Sequence, residues 1–108
     1  MQEGLYKTAF ETPFGSGLGV MVLRNGKAHG GNSALFYVGD YSLNDTHWEA
    51  RIITRRHSLD LNMASVFGLD LVHVTMNGQV NGKEITIKGV ADEVPDMEMH
   101  GKLTFLCD

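Results

Sequence analysis

Nothing limits the fold of this chain more than the two-residue rhythm of its apolar side chains. From His47 to Arg56, Trp48, Ala50, Ile52 and Thr54 fall on one side, while Glu49, Arg51 and Arg55 fall on the other. Successive Cβ atoms of a strand point to opposite faces, so this segment reads as a strand with one dry and one wet face. The same rhythm places strands at Leu5 to Glu11, Ser16 to Arg24, Lys27 to Gly30, Ser33 to Tyr41, Asp70 to Met76, Lys83 to Ala91 and Glu98 to Cys107. Asn25-Gly26 and Asn81-Gly82 supply hairpin turns of the type I′ kind, which need positive φ. About eight short strands at this spacing define an all-β domain, read as one unit over residues 1–108. An antiparallel up-and-down barrel closes every edge and suits the pattern; a two-sheet sandwich satisfies the alternation equally well.

One connection breaks the rhythm. His57 to Asp70 carries Leu59, Leu61, Met63, Val66 and Phe67 without strict alternation, and Gly68 can end a short helical turn. So apolar a link needs cover. It reads as a plug near residues 58–68 over one barrel mouth, with a lid or a contact with a second subunit as the sharper options for Leu61, Met63, Val66 and Phe67.

Composition narrows the function. With 43% hydrophobic and 20% charged residues, the chain can build a core. Its net charge of −4 argues against a nucleic-acid binder. A single cysteine, Cys107, permits no internal disulfide, and its period puts it inward beside Leu103 and Phe105. The charged opening "MQEGLYKTAFE" does not read as a secretory leader, and there is no long apolar run to span a membrane, so the expected address is the cytoplasm.

Catalytic signatures do not emerge. The glycines of "GSGLG" (Gly15, Gly17, Gly19) lack the spacing and the following helix of a dinucleotide fingerprint; within a strand they fit a bend or a close backbone approach. His29, His47, His57, His73 and His100 are dispersed without ligand spacing. Glu49, Asp70 and Glu84 sit on wet faces among opposite charges. Arg51, Arg55, Arg56 and His57 form a basic run that serves as an anion patch or, more simply, a set of ion pairs. The expectation is a protein without catalytic residues, metal or cofactor.

Binding is the remaining class. A barrel of about eight strands has an interior that side chains fill or that holds one small ligand. Leu18, Val20, Val22, Phe36, Trp48, Ile52, Val74, Ile87 and Phe105 are expected to face inward; Ala34, Ala50 and Gly89 leave room for a small apolar ligand such as a lipid or fatty acid. Outside, the turn at Leu43, Asn44, Asp45 and Thr46 is flanked by Tyr41 and Trp48. It is either a plain hairpin or a partner-binding loop.

Gly4-Leu5-Tyr6, the Gly-rich strand Gly15 to Val22, the Gly30-Gly31-Asn32 step and Tyr37-Val38-Gly39 resemble the opening of the GrlR-type negative regulators of bacterial type III secretion. Met63 to Asp70 resembles a segment of the broader set of relatives. The resemblance implies a small lipocalin-like β-barrel, homodimeric, that regulates by binding a protein. The founding member sequesters a helix-turn-helix transcription activator through an acidic Glu-Asp-Glu-Asp loop. That loop falls on Leu43, Asn44, Asp45 and Thr46, where only Asp45 keeps the charge. A single carboxylate offers a basic partner a much weaker field, so the likeness points to a relative with a different target rather than to the founding member.

Overall fold

The computed structural model describes residues 1–58 and 67–108. Its strands are β1 (Gly4–Thr12), β2 (Gly15–Arg24), β3 (Lys27–Gly31), β4 (Leu35–Asn44), β5 (His47–Arg56), β6 (Leu71–Asn81), β7 (Glu84–Ala91) and β8 (Glu98–Cys107). Each pairs antiparallel with the next, and β8 returns to β1, giving a closed up-and-down barrel. Closure decides between the two architectures compatible with alternation, and it leaves no strand edge free. This is the lipocalin-like arrangement that the resemblance implied.

Strands with one clear apolar face behave as expected. Trp48, Ala50 and Ile52 of β5 and Ile85 and Ile87 of β7 are buried. Two strands are read in the wrong phase by the alternation. On β2 the inward residues are Met21 and Leu23, whereas Leu18, Val20 and Val22 face out, Leu18 being 64% exposed. On β4, Leu35 and Tyr37 turn inward and Phe36 turns out. Both strands carry apolar side chains at odd and even positions, so the pattern has no phase there.

Cys107 is also corrected: it is exposed. The register between β1 and β8 slips between Leu5 and Tyr6, so that Tyr6 faces Phe105 and Leu5 faces Cys107. The extra residue, Leu106, flips the facing of the chain beyond it. Leu103 is fully buried upstream of the slip, and half-buried Phe105 packs edge-on against Tyr6 at 5.5 Å.

The turns differ too. Asn25 and Gly26 have φ of 53° and 77°, the two positive values of a type I′ turn. At the other expected site, β6 runs on to Asn81, which pairs with Glu84. The two loop residues are therefore Gly82 and Lys83, and only Gly82 has positive φ, at 63°. That is the type II′ pattern, with glycine at its first position.

Candidate functional site

Up-and-down connectivity gives the barrel two unlike ends. The two-residue hairpins at 25–26, 45–46 and 82–83 gather at one. The connections at 13–14, 32–34 and 92–97, and the described ends of the link between β5 and β6, lie at the other. The hairpin end is filled by side chains. Trp48, Leu23, Ile85 and Leu103 are buried there, and Tyr41 stacks on Trp48 at 6.1 Å. Among the described residues, Trp48 Nε1 has no hydrogen-bond partner.

At the opposite end the side chains leave a cavity of about 90 Å³. Its walls are mainly aliphatic and thioether groups, among them Met21, Ile52, Val74, Met76 and Met99. Phe67, buried at the end of the long β5–β6 connection, also lines it. Leu61, Met63 and Val66, expected beside Phe67 as lid or subunit contact, lie outside the described residues. Of the residues expected in the interior cavity, only Ile52 and Val74 line this one. Trp48 and Ile87 are buried in the core beyond it, Phe105 packs on Tyr6, and Phe36 is on the outer surface.

The cavity has polar groups that sequence reasoning missed: Ser16, Asn32, Tyr37 and Thr54. They lie between β2 and β5, where pairing of consecutive strands sets Tyr37 directly beside Thr54 and Asn32 hydrogen-bonds Tyr37. Asn32 organises this corner. Its Oδ1 accepts hydrogen bonds from the backbone N–H groups of Ala34 and Leu35, each at 2.9 Å, and its Nδ2 donates to the Leu18 carbonyl at 2.9 Å and to Tyr37 Oη at 3.2 Å. A Cβ on Gly19 would lie 2.8 Å from Tyr37 Oη and 3.1 Å from Thr8 Oγ1. Glycine there admits both hydroxyls. Thr8 is fully buried beside Tyr37, and its hydroxyl hydrogen-bonds the Tyr37 hydroxyl. Burial pushes the Tyr37 hydroxyl above its ordinary pKa, so it stays protonated at neutral pH.

The Leu43–Thr46 turn lies at the filled end, far along the barrel axis from the cavity. All four residues are exposed. Asp45 has φ 59°, a conformation in which Asn, Asp and Gly are favoured, so the turn itself accounts for its identity. Thr46 is tied to β6: its hydroxyl accepts from Gln79 and its carbonyl from the Val80 N–H at 2.8 Å.

The outward face of β2 to β5 is apolar where a wet surface was expected. Cross-strand pairing sets Val20, Gly31 and Phe36 in one row and Val22, His29, Val38 and Ile53 in the next. Leu18, Val20, Phe36 and Ile53 are all exposed, Val22 at 37%. Lys7 and Arg55 flank the first row.

Two members of the basic run, Arg51 and Arg56, are engaged by acidic or polar neighbours. Arg51 donates to Thr75 and pairs with Asp92 at 3.3 Å, and Arg56 pairs with Asp70 at 2.7 Å. Glu93 receives the His73 backbone N–H at 2.8 Å and its ring Nδ1 at 2.6 Å, and these bonds hold its carboxyl below the usual range. Among the described residues, no three His, Cys, Asp or Glu side chains converge as metal ligands. No helix of the described residues is long and apolar enough to cross a membrane. The sequence matches no protein-family model and no curated protein at a significant level.

Proposed function

We propose that this chain is a non-catalytic regulatory protein of the cytoplasm that works by protein contact, as a homodimer joined through the outer face of β2 to β5. The observation that carries this reading is the contiguous apolar surface of Leu18, Val20, Val22, Phe36 and Ile53. Scattered exposed apolar residues are ordinary, but a contiguous patch on a β-sheet face is a contact surface. A closed barrel cannot associate by adding strands at an edge, so a second copy has to pack face to face. Val20→Asp combined with Val22→Asp places two charges in the centre of the face. Sedimentation equilibrium should then show monomer where the wild type shows dimer; a wild-type monomer at high micromolar concentration would remove the proposal.

The resemblance to GrlR-type regulators supports a negative regulator that sequesters a transcription activator or another protein. The Leu43–Thr46 hairpin is the loop it points to. Asp45→Gly keeps the positive φ and removes the only carboxylate, so it separates turn from charge. Unchanged capture of cytosolic partners by this variant would take the loop out of the account.

A second reading is favoured by the cavity: the end of the barrel opposite the two-residue hairpins holds a small ligand. Saturable perturbation of the cavity-lining methionines by a small apolar compound is its test.

A further inference from the structure

Four of the five histidine rings have polar partners: His47 with Glu49, His57 with the Asn32 carbonyl, His73 with Glu93 and His100 with Glu98. His29 has none among the described residues, and it is exposed. It stands on β3 within the apolar outer face. The register sets Val22 of β2 on one side of it and Val38 of β4 on the other, with Ile53 of β5 beyond. The charged groups of the adjoining row are Arg24 from β2, Asp40 from β4 and Lys27 on β3 itself. Asp40, the one carboxylate among them, is engaged by Lys27 at 2.6 Å. We infer that this imidazole makes the homodimer acid-sensitive: two copies join through the β2–β5 face while His29 is neutral and separate when it is protonated. This deepens the homodimer reading and rests on it.

A twofold dimer takes the same patch of each copy out of water. Self-packing needs projections and a recess on one patch, and Gly31, without a side chain, lies between Val20 and Phe36 in the row beside His29. A neutral imidazole enters such a contact at modest cost. An imidazolium gives up its hydration, and the patch has no spare carboxylate to replace it. Symmetry buries two such rings per dimer, and any approach of one to the other adds repulsion of the same sign. Protonation therefore favours the monomer. The dimer is tightest above the range in which imidazoles ordinarily titrate, about pH 6.5, and weakens as the pH falls through it.

The experiment is sedimentation equilibrium of the full chain at about pH 8 and about pH 5.5, for the wild type, His29→Gln and His29→Leu. One ring per copy that has to be neutral predicts a wild-type dimer weakened about a hundredfold at the lower pH, about tenfold for each copy. Both variants should dimerise at the higher pH and weaken by less than about threefold at the lower, since neither side chain takes up a proton there. Three results overturn the inference while the dimer reading stands: a wild-type change below about tenfold, a variant that weakens about tenfold or more, or loss of the dimer by both variants at the higher pH. A wild type that is monomeric at the higher pH overturns the inference and the dimer reading together.

Discussion

The two ends of this barrel are built from the same strands and differ in what the chain does between them. At the hairpin end, two-residue turns bring neighbouring strands straight back, and Trp48, Leu23, Ile85 and Leu103 fill the interior. At the other end a two-residue turn at 13–14 stands beside longer connections at 32–34 and 92–97, and the described side chains leave a cavity. Short turns leave few backbone groups to satisfy and little room to vary. The long connections leave a cavity whose polar corner is set by Asn32. The hairpin end is therefore the filled half, and the described residues of the opposite end surround the cavity.

Truncation should expose the contrast most strongly. Trp48→Ala removes the largest fully buried side chain from the filled end and should cost about 3–5 kcal/mol, enough to unfold much of the population. Urea denaturation measures it directly. A loss below about 1 kcal/mol would mean that the filled end does not stabilise the barrel. Enlargement should act with opposite sign at the two ends. Ile85→Phe overpacks the filled end and should cost about 1–3 kcal/mol. Val74→Ile adds a methyl group toward the void and should stabilise by about 0.5–1 kcal/mol. Destabilisation by both changes would show that the cavity closes in solution.

The hairpin turn offers a finer comparison. Asp45 holds φ 59°, so Asp45→Ala should lose about 1 kcal/mol and Asp45→Gly little or nothing, by thermal unfolding. Equal losses would show that the carboxylate, rather than the backbone conformation, matters for stability. The smallest effect concerns Glu93, on the connection between β7 and β8. The folded pKa of Glu93 lies below its unfolded value near 4.5, so its contribution is complete at neutral pH and fades as pH falls below that value. Glu93→Gln should lower stability slightly near neutrality and converge with the wild type in acid, which flattens the acid limb of the stability profile.

How much of this could be read beforehand depended on whether a strand had one apolar face or two. Trp48, Ala50 and Ile52 alternate with charged residues, and their burial follows from the sequence. Leu18, Val20, Met21, Val22 and Leu23 offer both faces, and so do Leu35, Phe36, Tyr37 and Val38. Gly17 and Gly19 reveal the true phase of β2, since they take inward positions opposite Phe10 and Thr8. The misread residues are the ones that form the exposed apolar face, so the error and the proposed interface share a cause. The phase at Cys107 was lost to a slip that no local pattern records. Asn32, Tyr37, Thr54 and Ser16 were not grouped from the sequence, because the register of the β2–β5 pairings that joins them is not written in linear spacing.

The apolar outer face is best tested by methyl NMR of the labelled chain at two concentrations, one below and one above dimer formation. If this face joins two copies, the methyl signals of Leu18, Val20, Val22 and Ile53 should move with concentration while that of Leu43, at the hairpin end, does not. Signals that stay fixed at every concentration, or movement centred on Leu43, would contradict it.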